Sequence, residues 1–236
     1  MNYPEQKQKT FTRTRPKTNT LLKNIYIWMS LALILTAVVA YSVSRNTQML
    51  QFLYSNAIFM ILLIFAQLGC VIFLSARIQK MSVGTALFTF ALYAILTGVT
   101  FSSIFLVFTR ASIANAFFCT AIMFGGMSLY AMTTKRDLNS WGSYLIMGLW
   151  GIIIASVINM FLGSATLYYM ISYIGVVLFL GLTAWDTKKL IRIGENIEGI
   201  DEDSYIKLSI YGALTLYLDF INLFLFILRI FGRSNN

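Results

Sequence analysis

The chain has 236 residues, 58% of them hydrophobic and 11% charged, with mean hydropathy +0.74; globular chains are about 45–50% apolar and about 25% charged, so a soluble fold is excluded and a polytopic α-helical membrane protein indicated. The formal net charge of +9 comes without a basic-aromatic reading face, which argues against a nucleic-acid partner. The chain contains no His, which removes Ser-His and Cys-His nucleophilic catalysis, His-based zinc proteases and any imidazole switch, and points away from an enzyme.

Residues 1–22 read as a polar, basic tail ahead of a membrane domain over 23–232. No cleavable signal peptide is visible, because the first apolar run is of spanning length and lacks a small-residue cleavage site. Seven runs approach the roughly 20 apolar residues needed to cross about 30 Å of hydrocarbon. They predict spans at about 24–43, 52–75, 85–109, 112–133, 142–162, 166–186 and 206–231. Barrel strands would alternate apolar with polar residues, and these runs do not.

With seven spans, fourteen Lys and Arg residues fall on the side of the N-terminus, among them Lys7, Lys9, Arg13, Arg77, Lys80, Lys188 and Lys189. Only Arg45, Arg110, Arg229 and Arg233 fall on the other. The positive-inside rule then places the N-terminus in the cytoplasm and the C-terminus outside, in a multi-pass plasma membrane protein. A seventh segment that re-enters instead of crossing would move Arg229 and Arg233 to the basic face. The tail fixes topology and offers basic charge to the lipid bilayer.

Connections are short, so the helices form one bundle, with Gly125, Gly126, Gly142 and Gly151 as candidates for close helix approach. Cys70 and Cys119 fall inside spans and read as ordinary thiols. The stretch from Thr187 to Tyr205 holds Glu195, Glu198, Asp201, Glu202 and Asp203 without the spacing of a calcium loop. It reads as a solvated linker.

The last span carries the most informative residue. Asp219 lies in the apolar run from Tyr211 to Phe231, and a charge near mid-bilayer costs at least about 2.5 kcal/mol, so such a group faces a bundle interior or a cavity. Lys207, Tyr211, Thr215, Asp219, Asn222 and Arg229 fall on one helical face by spacing. Tyr211, Thr215 and Asn222 read either as pore-lining groups or as interhelical hydrogen-bonding groups. The other intramembrane acid is Asp186, at the end of the sixth span.

Two buried aspartates on adjacent spans serve either a hydrolytic dyad or proton-gated cation binding. The first would make an intramembrane aspartyl protease, yet the contexts Ala184-Trp185-Asp186 and Tyr217-Leu218-Asp219 lack the Tyr-Asp and Gly-x-Gly-Asp motifs of that class. The second is supported by a resemblance. The segment Leu216-Tyr217-Leu218-Asp219-Phe220-Ile221-Asn222-Leu223-Phe224, followed by Leu228-Arg229-Ile230-Phe231-Gly232, resembles the closing signature of the Bax inhibitor-1 family, also called the transmembrane Bax-inhibitor-motif family. Thr133-Thr134-Lys135-Arg136-Asp137-Leu138 and Gly181-Leu182-Thr183-Ala184-Trp185-Asp186-Thr187-Lys188-Lys189 are similar to its bacterial members.

The resemblance implies an all-α membrane fold with six helices around a central seventh, and a pH-sensitive calcium leak without a cofactor. It maps the two sensor aspartates onto Asp186 and Asp219, which would share a proton, titrate as a unit and offer calcium oxygen ligands. It matches a basic latch to Arg77, a residue that reads equally as a positive-inside anchor. Arg229 would meet the second helix at Gln67, where bacterial leak members have an acid. On ideal spans the two aspartates are offset by roughly 10–15 Å, so pairing needs the seventh helix to sit low or to extend. A second reading from the same family is a non-conducting regulator that binds a membrane protease or other membrane protein through the tail.

Overall fold

A computed structural model describes residues 15–196 and 199–233. Lys7, Lys9 and Arg13 of the expected partner-binding tail, and Glu198, lie outside the described residues. Among those described, all regular structure is helical: α1 (Arg15–Ser44), α2 (Thr47–Ser55), α3 (Ala57–Arg77), α4 (Val83–Phe101), α5 (Ile104–Val107), α6 (Arg110–Thr133), α7 (Trp141–Leu162), α8 (Ala165–Glu195) and α9 (Glu202–Phe231). Seven are long and apolar enough to cross a membrane, with α4 continuing through α5 as one span and α2 left as a short connector.

Local chemistry sets many of the boundaries. The side chains of Asn46, Asn56, Ser82, Thr109, Ser164 and Asp201 each accept from the backbone N–H three residues on, which satisfies an amide that the first helical turn leaves free. α7 ends on Gly163, whose φ of 60° lies in the left-handed region that glycine enters without a Cβ penalty.

α9 is the axis of the bundle. Leu214, Leu216, Tyr217, Leu223, Ile227 and Leu228 on it are fully buried. α1, α3, α4, α6 and α8 pack on α9, while α7 stands behind α8 and packs mainly against it. The outer faces of the other helices are apolar and exposed, with Phe88, Ile122, Tyr144, Phe161 and Val177 among the residues turned outward. That is the pattern of a bundle solvated by lipid, in which hydrophobicity cannot say which face turns inward.

α9 runs unbroken from one end of the bundle to the other. At one end Lys207 Nζ donates to Gln79 O in the α3–α4 turn. At the other, Arg233 N donates to Ser112 Oγ and Thr109 N to Arg233 O, both at the start of α6. We call these the charged end and the arginine end.

Three expectations about boundaries and packing need correction. α1 is helical from the first described residue, Arg15, so the last part of the 1–22 stretch is helix. The stretch after Thr187 is not a linker for most of its length: α8 runs on to Glu195, because Thr187, Leu190 and Gly194 are buried beneath its charged residues. Of the four glycines singled out for close approach, only Gly142 has a neighbour, the Trp185 ring, whereas Gly125, Gly126 and Gly151 face open space. The tight seams lie elsewhere. A Cβ at Gly98 would stand 2.7 Å from Thr36 O, and one at Gly175 would stand 2.7 Å from the Phe226 ring.

Candidate functional site

The two intramembrane acids are brought to one seam. Asp186 on α8 is 7% exposed and Asp219 on α9 is 5% exposed. The helices that carry them, α8 and α9, pack against each other along the core. Among the described residues no hydrogen bond joins the two carboxyls, and Asp219 Oδ2 is buried with no partner at all. The long helices shorten the expected offset: Gly175 of α8 lies against Phe226 of α9 and Leu190 against Gly212, which leaves the two aspartates about one helical turn apart along the axis. Since each Cβ leans toward its own helix N-terminus, the two side chains of this antiparallel pair lean toward each other.

An uncompensated carboxyl in such a place is costly unless it is neutral or finds a ligand. Lys189 follows Asp186 one turn on along α8, but its ammonium is engaged 5.1 Å over the Trp185 ring. Arg77, the residue matched to the latch, is exposed at the C-terminus of α3. A helix C-terminus favours a cation by its dipole, which accounts for an arginine there.

The polar stripe of α9 splits in two. Tyr211, Thr215, Asn222 and Arg229 lie on its half-buried side, whereas Asp219 is turned into the core. Thr215 Oγ1 and Asn222 Nδ2 donate back to Tyr211 O and Leu218 O. Gln67 and Asn222 line one cavity of about 330 Å³ between α3, α4 and α9, together with Tyr93 and Thr100. Gln67 does not meet Arg229: its Nε2 donates to Thr100 Oγ1 at 2.7 Å. Arg229 instead stacks 5.4 Å over the Tyr168 and Phe226 rings, on the α8 side of α9. The two residues are on different faces of the central helix.

Several residues that hold the site were not evident beforehand. Tyr217 OH and Thr36 Oγ1 are 2.6 Å apart, and Thr36 donates to Ala94 O, which ties α9 to α1 and α4 beside Asp219. Lys188 Nζ donates to Ala131 O and Thr134 O at the end of α6. One turn on, Arg192 pairs with Asp137 at 2.6 Å. The backbone N–H of Asn139, and then Arg192, hold the exposed Asp137 carboxyl below its ordinary range. Tyr217, Asp137 and Lys188 do stand inside the motifs read from the sequence, which was the available signal; Thr36 carried none.

Toward the arginine end, Phe220 and Phe224 follow Asp219 along α9 and meet Phe117 and Phe124 of α6. The Phe117–Phe220 and Phe124–Phe220 centroids are each 5.4 Å apart. Beyond this aromatic cluster lies a polar vestibule of about 770 Å³ lined by Ser112, Asn115, Cys119, Ile227 and Arg233 among others. Cys70 and Cys119 are free and half-buried.

A seven-helix membrane bundle with a polar axial helix and two apposed intramembrane aspartates is the class of protein these features define. The sequence profile described as "Inhibitor of apoptosis-promoting Bax1" matches residues 18–236, and the chain therefore belongs to the Bax inhibitor-1 family. It is 51% identical over 224 residues to the inner membrane protein YbhL of Escherichia coli K12, covering 95% of this chain and 96% of that one. It is also 44% identical over 230 residues to an uncharacterized protein of Borreliella burgdorferi, covering 94% of this chain and 98% of that one. An uncharacterized protein of Rickettsia prowazekii, RP147, is 43% identical over 212 residues, covering 90% and 89%.

Proposed function

We propose that this Bax inhibitor-1 family protein is a pH-gated calcium leak of a bacterial plasma membrane, with its charged end in the cytoplasm. The observation that carries the reading is the pair of buried carboxyls at the α8–α9 seam, one of which has an oxygen, Asp219 Oδ2, with no hydrogen-bond partner. Two carboxylates in a medium of low polarity cannot both ionise without strong repulsion, so the protonation of the pair sets how closely the two helices approach. Loss of the proton pushes α8 from α9 and exposes hard oxygen ligands of the kind calcium takes.

On this reading the conformation is the closed one. The Phe117, Phe124, Phe220 and Phe224 cluster excludes water on the arginine side of Asp219, and an apolar constriction of this sort blocks ions by staying dry. Inward positive charge at the charged end supports the orientation.

The test is calcium flux into dye-loaded liposomes containing the purified chain. Flux is expected to change steeply with pH, and Asp219→Asn and Asp186→Asn are each expected to flatten that dependence. Flux equal to that of protein-free liposomes at every pH removes the reading.

A further inference from the structure

We propose that the arginine end carries a binding site for an anionic phospholipid, with one acyl chain in the cleft between α1, α5, α6 and α9 and the phosphate at Arg45 and Arg110. The cleft has a volume of about 360 Å³, and its walls include Leu33, Ala37, Phe105, Phe118 and Phe224, with Arg110 at its rim. Its one hydroxyl-bearing wall residue is Thr36, whose Oγ1 is already engaged by Ala94 O and Tyr217 OH. Nothing polar inside it awaits a partner, so the occupant is a hydrocarbon chain. Phe118 is also one of the residues turned to lipid, which gives a chain an entry from the bilayer.

The rim supplies the other half of the recognition. Arg45 and Arg110 come from different helices, and the Cζ of each lies 5.9 Å from the centre of the same Tyr41 ring. Two guanidiniums drawn to one ring repel each other unless an anion joins them. No Asp or Glu is at hand, since in sequence every acid falls before α1, between α6 and α7, or from the last turns of α8 through Asp219. The one ion pair among the described residues is at the opposite end. Planar guanidinium forks match phosphate oxygens, and Tyr41 marks the depth at which aromatic rings meet headgroups.

The experiment is a lipid titration of the full chain in mild detergent, read by native mass spectrometry, comparing phosphatidylglycerol with phosphatidylcholine of the same acyl chains. At about fivefold per arginine near an anionic headgroup, the unmodified protein is expected to prefer phosphatidylglycerol by about 25-fold. Arg45→Ala and Arg110→Ala should each reduce that preference about fivefold, and the double variant should abolish it. Both residues are exposed, so these variants fold. Ala114→Phe fills the cleft and should weaken both lipids; dihexanoyl phosphatidylglycerol, tested on the unmodified protein, should bind far more weakly than the long-chain form. Equal binding of the two headgroups by the unmodified chain, a preference that survives in the double variant, or short chains binding as well as long ones would each overturn the proposal.

Discussion

The two ends of the bundle are held by different chemistry. At the charged end, side-chain charges close the connections: Lys188 caps α6, Arg192 grips Asp137 and Lys207 holds the α3–α4 turn. At the arginine end the joints are neutral, made by Thr109, Ser112 and the backbone of Arg233, while the cations stack on rings or stand at the cleft. The difference teaches that an end whose joints are made by charged side chains answers to acidity and substitution, whereas one whose joints are neutral leaves its cations to the lipid around it.

The comparison is broken most forcefully at Lys188. Lys188→Met should lower unfolding stability by about 2 kcal/mol, because hydrogen bonds from a charged donor contribute about 1.5–3 kcal/mol; thermal unfolding in detergent measures it. Next comes Thr109→Ala at the other end, where a lost N-cap costs about 1 kcal/mol. That loss should be the same at neutral and acid pH. Asp137→Asn should have a smaller effect that depends on acidity. The Asp137 carboxyl titrates below its ordinary value of 3.8, so its contribution is present above that value and is lost as pH falls through the lowered one. Variant and parent should therefore converge in acid. Smallest of all, Arg45→Ala with Arg110→Ala should leave unfolding in neutral detergent unchanged, and a clear destabilisation would show that the arginine end relies on its charges after all.

Most of the architecture was legible in the sequence because the membrane imposes length and hydropathy on each span, and the Asp219 motif is specific. What could not be read is tertiary. The charges after Thr187 suggested water, but Leu190 and Gly194 bury the opposite side of the same helix against α1. Tyr211 through Arg229 share a spacing with Asp219, yet half a turn of helix is wide enough for one residue to face the core and the next a cavity. Gln67 and Arg229 are matched through the family resemblance, and a motif does not say on which side of α9 a neighbouring residue stands. Arg77 has the right residue type in the right turn, and its exposure follows from how α3 sits at the bundle's edge.

The contact between Phe226 and Gly175 has a mechanical meaning. With the ring seated where glycine has no side chain, α8 cannot slide along α9 without a collision, so the freedom left to it is to pivot about that point. Asp186 lies about 16 Å from the pivot along the helix axis, so a swing of about 10° carries its carboxyl about 3 Å sideways. The arrangement is a lever with its fulcrum among aromatic rings and its charge on the long arm, where a small push is magnified.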